Sequence, residues 1–209
     1  MGFSLDAYKP RSVKVKVDKS GLVYIWVAAN KETTPCYYLE RIVDPEGRSS
    51  YHSLMTFAEK YQGGGTAGRV LEPTIRFYRK YNISRIELVA GLSKGGMHWA
   101  KVGFVPEKSE WDGVARRIRK NLAKLNHRLL QEYEEATGEE LQSTVDEILH
   151  SLRERWIWEI RGLGPGIKEN AWSLGALLLK GTRWKGYLDL NAPDMAARLD
   201  TYIAASLTK

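Results

Sequence analysis

The chain of 209 residues is poor in the residues that staple or anchor a fold. It holds one cysteine, Cys36, so no disulfide can form within it and nothing points to an oxidising compartment. Cys36 is expected as a small core residue rather than a nucleophile. The histidines His52, His98, His127 and His150 are scattered, and none pairs with another or with cysteine at metal-ligand spacing. No metal site is therefore expected. A G-x-S-x-G nucleophile elbow is missing. The opening MGFSLD lacks the Ser or Thr that myristoylation needs at the sixth position, and no signal peptide is read there. No apolar run approaches the length of a membrane span; the longest candidate, Leu174 to Leu179, suits a buried helix. The expectation is a cytoplasmic protein with no membrane partner. Internal repeats and low-complexity segments are also lacking.

What the chain does have is aromatic surface and positive charge. Seven Trp and eleven Tyr exceed what the core of such a chain needs, so some are expected to line a pocket or an interface. A net charge of +7 permits nucleic acid or a phosphorylated ligand as partner without requiring either.

The N-terminal half alternates as strands do. Val13 to Val17 reads VKVKV, and Leu22 to Ala28 follows a turn at Asp18–Gly21, which predicts a hairpin. Tyr37 to Val43 and Tyr51 to Ala58 are the next strands, separated by the turn Asp44-Pro45-Glu46-Gly47. Arg69 to Tyr81 has helical spacing, with Val70, Ile75, Phe77 and Tyr78 on the buried face and Pro73 near the first turn. Arg85 to Ala90 (RIELVA) is a buried strand, and Gly95 to Val102 a short helix ended by Gly103. From Glu110 the character turns helical. A leucine-rich stripe predicts one long helix from Trp111 to Thr137 and a second from Glu139 to Trp158. A third helix is read at Ala171 to Lys180, then a strand at Trp184 to Leu190, then a last helix capped by Asn191. Two regions follow, 1–108 and 109–209, the second mainly helical and packed on the first.

The chemistry concentrates in one loop. Gln62-Gly63-Gly64-Gly65-Thr66-Ala67-Gly68-Arg69 follows a strand and opens a helix. Glycines let the backbone turn tightly and approach a ligand, while the helix start offers unpaired N–H groups and a positive dipole end. Lys60 and Arg69 flank the loop with charge. That combination favours phosphate or pyrophosphate. The alternative is that the glycines only make a hairpin or a flexible connection. The loop lacks the G-x-G-x-x-G dinucleotide arrangement and the Gly-Lys-Ser/Thr of a nucleoside-triphosphate loop.

Gln62 to Ala67 fits Q-x-x-G-x-A, and Trp99-Ala100-Lys101-Val102-Gly103-Phe104 follows the RIELVA strand after a short helix. In both features the chain resembles the GNAT superfamily of N-acetyltransferases, over about a quarter of its length. The resemblance implies an α/β (α+β) fold, a mixed and mostly antiparallel sheet whose strands Tyr51–Ala58 and Arg85–Ala90 splay to admit acetyl-CoA or another acyl-CoA. It implies that Met55 and Phe57 line the pantetheine arm, and that Gln62, Gly63, Gly64, Gly65, Thr66, Ala67, Gly68 and Arg69 hold the pyrophosphate. The acyl acceptor would be an amine on a protein, a small molecule or an aminoacyl-tRNA. His52 lies on the strand from which a general base works in many members, and Trp99 stands where the family has the Tyr that protonates the leaving thiolate. An indole N–H donates a hydrogen bond but delivers no proton at neutral pH. The two acceptor-side helices and the closing strands of the family are not evident.

Other candidates are weaker. Glu40 and Glu59 are alternative bases, Glu87 alternates with apolar strand residues, and Ser93, Lys94 and His98 precede or lie within the short helix beside Gly95 and Gly96, which suggest close backbone approach. Arg116, Arg117, Lys120, Lys124 and Arg128 predict a basic helix face, either solvated or facing an acidic protein or nucleic acid. Two functions stand: a GNAT-like acyltransferase, or a catalytically inactive binding or effector protein acting through its basic helical region.

Overall fold

Strand alternation in the first half builds a sheet. The computed structural model describes residues 12–31, 34–62, 64–151, 156–170 and 172–208, with the side chains at 30, 31, 34–36, 92 and 93 left aside. Gly63 and the side chains of Cys36 and Ser93 therefore lie outside the described residues. The strands are β1 (Ser12–Val17), β2 (Val23–Lys31), β3 (Thr34–Asp44), β4 (Ser49–Phe57), β5 (Arg85–Ala90), β6 (Val105–Pro106), β7 (Lys168–Glu169), β8 (Trp172–Ser173) and β9 (Trp184–Asp189). The helices are α1 (Thr66–Lys80), α2 (Leu92–Val102), α3 (Trp111–Leu122), α4 (His127–Thr137), α5 (Leu141–His150), α6 (Trp156–Gly162), α7 (Leu174–Leu178) and α8 (Pro193–Leu207). A seven-stranded sheet runs in the order β1-β2-β3-β4-β5-β9-β6, and β7 and β8 form a separate ribbon. β1 to β4 are antiparallel, β4 and β5 are parallel, and β6 pairs antiparallel with β9. The fold is the expected mixed α/β type with a mostly antiparallel sheet.

The chain divides into two compact units at places other than residue 108. One comprises residues through Leu88 and from Leu188 onward; the other is Val89–Tyr187. The reason is that the chain returns: β9 joins the sheet, and α8 packs along α1. The strand expected at Trp184 to Leu190 is β9, the two-residue β6 was not expected, and the helical block lies between them in the chain.

In the first unit, Tyr37, Leu39, Arg41 and Val43 of β3 point inward, opposite Phe57, Met55, His52 and Ser50 of β4. Ala29, Tyr37, Leu39 and Val70 form a core cluster that Met55, Phe57 and Tyr61 extend. The α1 helix begins at Thr66, three residues earlier than its spacing suggests, so Pro73 sits in its interior. Leu71 is buried in place of Phe77, which is 43% exposed and packs at a tilt against Tyr81. In the second unit, the expected long helix is two: α3 stops at Leu122, and Asn126 caps α4 by accepting from the Leu129 N–H. The second long helix is likewise α5 and α6, and the third is only α7. Asn191 is not the last cap. Ala192 holds that place with Pro193 at the first helical position.

Candidate functional site

The candidate site starts on β4. Its parallel pairing with β5 runs from Ser49↔Arg85 to His52↔Leu88 and ends there, while β4 continues to Phe57. One residue later β4 changes phase. Glu40 pairs with Leu54 but Arg41 pairs with His52, so Ser53 is an extra residue, a β-bulge. A strand of strict period two would turn 50, 52, 54 and 56 to one face. The bulge instead lets Ser50 and His52, then Met55 and Phe57, all face the core under α1.

After Phe57 a 3-10 turn, Glu59–Tyr61, leads to the glycines. The Gln62 side-chain amide donates to the Phe57 carbonyl at 3.2 Å and so ties the loop to the strand end. Gly64 and Gly65 adopt φ of +50° and +82°, the left-handed region in which a Cβ is strained. Gly65 is the N-cap of α1, no side chain caps the helix, and the first turn holds no acid. The first turn of α1 thus sets no acidic residue of its own against the positive dipole end.

The loop glycines divide by role. A Cβ on Gly64 would meet nothing within 4 Å. A Cβ on Gly65 would collide with the backbone carbonyl of Ser206, and one on Gly68 with the Ser206 side chain. Arg69 Nε donates to the Ser206 carbonyl at 3.2 Å. Gly65, Gly68 and Arg69 therefore seat the last turn of α8, and the open side of the loop is at Gly64. Thr66 is buried, while Ala67 is partly exposed.

His52 is turned inward and is 4% exposed. Its Nε2 lies 3.0 Å from the Tyr78 hydroxyl, which is 2.6 Å from Ser50 Oγ. Burial, then the charge of Arg41 opposite it, holds His52 well below its ordinary value, so it is neutral at pH 7. Burial in turn raises the Tyr78 phenol, against the opposing pull of Arg41. Arg41 is also buried, at 4% exposure, and burial pushes it down to about 10. No sequence pattern other than its place in the inward series Tyr37, Leu39, Arg41, Val43 announces it.

Trp99 belongs to the second unit. It is 9% exposed and packs edgewise on Phe104, with ring centroids 5.0 Å apart. Its carbonyl accepts from the N–H groups of Gly103 and Phe104, which closes α2 with Gly103 at φ +122°. The neighbouring His98 is pushed down to about 4, by burial first and then by Lys101 and Arg161. Gly96 does lie in close approach, against the side-chain hydroxyl and the carbonyl of Thr182.

The basic residues do not share one helix. Arg116, Arg117 and Lys120 are exposed on α3, Lys124 lies in the connection after it, and Arg128 is on α4 with Glu132 as ion-pair partner. Among the described residues no group of three or more His, Cys, Asp or Glu is placed to hold a metal ion, and no helix is long and apolar enough to cross a membrane. A cavity of about 430 Å³ lies away from the loop, against Ser12, Lys14, Trp26, Ala28 and Tyr38. No protein-family model, no curated protein and no solved structure matches this chain.

Proposed function

We propose that this protein is a coenzyme A-dependent N-acyltransferase of the GNAT type. The observation that carries the reading is the order of parts around β4: a parallel partner that stops at His52↔Leu88, a strand that runs on to Phe57, and a left-handed glycine loop opening an uncapped helix. The backbone of β4 beyond His52 offers N–H and C=O groups to an amide-bearing arm, as an added strand would. Gly64 and the start of α1 offer N–H groups and a dipole to a pyrophosphate. Arg69 adds a cation beside them, although its Nε is shared with Ser206. The closing strands β6 and β9 add support, because the family resemblance leads one to expect strands after the short helix.

Acyl-CoA supplies an activated thioester carbonyl, at which an acceptor amine replaces the thiol. The chain's contribution is orientation and electrostatics rather than strong proton transfer. His52, neutral and bonded to Tyr78, holds that strand in place and is available only as a weak base. Trp99 walls its surroundings with an indole that cannot give up a proton.

A second reading, a non-catalytic relative, is favoured by one observation: the inward-facing His52 and the indole of Trp99 leave the acid–base roles of the family without a strong candidate. In that case Arg116, Lys120 and Lys124, exposed and without an ion pair among the described residues, would face an acidic protein or a nucleic acid.

Thermal stabilisation by CoA and acetyl-CoA tests both. A ligand at a hundredfold excess over its Kd stabilises by about 2.7 kcal/mol, which is roughly 5–10 °C in a chain of this size. Gly64→Asp is the informative variant. The position is open, aspartate tolerates the left-handed region, and its charge would oppose a pyrophosphate. CoA binding should vanish in it, while the left-handed aspartate costs ~1 kcal/mol of stability. Flat melting at millimolar CoA in the parent refutes the acyl-CoA reading; CoA binding with no thiol release on any amine moves the function to the second.

A further inference from the structure

Arg41 is a buried cation with no carboxylate paired to it among the described residues. Its Nη1 donates at 2.7 Å to the Glu40 carbonyl and at 2.8 Å to the Leu54 carbonyl. Its Nε and Nη2 are buried and make no hydrogen bond among the described residues. The Tyr78 phenol is a further polar group beside Arg41, and each side chain bears on the other's titration. Such an arrangement is costly, because a charge taken from water needs good partners and Arg41 has two neutral carbonyls. An apolar side chain of similar length would be expected to suit the core as well or better.

The two carbonyls are informative. Glu40 and Leu54 are the last pair before the irregular step, and Arg41↔His52 is the next. One nitrogen therefore bonds to both strands across the extra residue, Ser53. Pairing of β4 with β5 ends at His52, on the same step. The bulge, the end of parallel pairing and the buried charge coincide. Without the bulge, a slip of one residue would turn Met55 and Phe57 away from the core.

We propose that Arg41 is a positioning residue: it staples the bulge at Ser53, and the bulge sets the orientation of β4 backbone from Leu54 to Phe57 toward the pantetheine arm of acyl-CoA. The functional half rests on the acyltransferase reading; the staple itself does not. Arg41 touches no reacting atom. Its charge strengthens two hydrogen bonds that hold an irregular step, and the penalty of burying it is retained for that geometry.

The test uses the full chain with Arg41→Met and Arg41→Lys. Methionine fills much of the volume and donates nothing, while lysine keeps the charge and a nitrogen that can donate to two carbonyls, but on a shorter, more flexible stem without the rigid planar head. Amide exchange at Ser53, Leu54 and Met55 is read by nuclear magnetic resonance, and CoA affinity by titration calorimetry. Arg41→Met should exchange at least tenfold faster at these amides and bind CoA at least tenfold more weakly, with a thermal midpoint within a few degrees of the parent. Arg41→Lys should fall between. In turnover the KM for acyl-CoA should rise while kcat changes little. Parent-like exchange in Arg41→Met overturns the staple; a variant that loses stability yet binds CoA as the parent does overturns the positioning role. If Arg41→Met does not fold, Arg41→Lys carries the same comparison. A parent that binds no CoA sinks the acyltransferase reading instead, and exchange alone then decides the staple.

Discussion

Replacing Gly68 by alanine sets two effects of opposite sign against each other. Helix propensity favours the change, since alanine is better than glycine inside a helix by ~0.8–1.0 kcal/mol. Packing opposes it. The new Cβ would lie less than 3.0 Å from both Oγ and Cβ of Ser206, which is itself buried. The Ser206 hydroxyl can rotate, at the loss of its 2.8 Å bond to the Tyr202 carbonyl. Its Cβ cannot move without α8, so the last turn of that helix must shift. Overpacking of this kind costs ~1–3 kcal/mol, and a clash with a fixed carbon belongs in the upper part of that range. The net expectation is a loss of about 1–2 kcal/mol, or roughly 2–8 °C in thermal midpoint. Scanning fluorimetry on the parent, Gly68→Ala, Ser206→Gly and the double variant measures it. The double variant should recover most of the loss relative to Ser206→Gly alone, a coupling that distant sites would not show. A higher midpoint for Gly68→Ala than for the parent would mean that propensity wins and that the α1–α8 contact is not as tight as described.

Acid should weaken the fold through its buried histidines. His52 is held well below its ordinary 6.5 and His98 at about 4, so below pH 6.5 the unfolded chain takes up protons that the folded chain refuses. Stability is full above about pH 6.5 and falls toward pH 4, by ~1.4 kcal/mol per pH unit for each histidine. The fall should be shallower in His98→Asn, and an identical slope would remove His98 from the account. Trp99→Ala should cost ~3–5 kcal/mol, because it empties a buried site against Phe104, while Trp99→Phe should retain most stability and, on the acyltransferase reading, most thiol release. A Phe variant that melts like the parent but is as inactive as the Ala variant would give the indole N–H a direct part in the chemistry.

Much of the sheet could be read from alternation, because β1 to β5 carry period-two patterns bounded by glycine, proline and aspartate turns. The glycine loop and the short helix ended by Gly103 were legible for the same local reason. What escaped was short or distant. β6 is two residues long, too short for any period, and β9 gives no sign of which strands it will lie between. The leucine stripe through α3 and α4 masked the break, though Asn126 is a residue that caps helices. Within the site, the sequence places glycines but not their reasons. Gly65 and Gly68 face Ser206, and no local pattern can report a neighbour so far along the chain. Arg41 was legible in principle, as the one charged residue on the inward parity of β3.

The return of α8 to α1 has a consequence for synthesis. The Arg69–Ser206 hydrogen bond joins residues 137 positions apart, and the unit that holds the glycine loop draws on both early and late parts of the chain. On a ribosome, which delivers residues in order, the strands β1 to β4 emerge first and must wait, with the first turn of α1 uncovered, until residues beyond 188 leave the exit tunnel. The segment Val89–Tyr187 has all of its residues earlier and can fold in that interval. The order of folding is then the reverse of the order of appearance, and the exposed β1 edge, with Val13, Val15 and Val17 outward and Lys14 and Lys16 between them, is guarded by charge against sticking to other nascent chains during the wait.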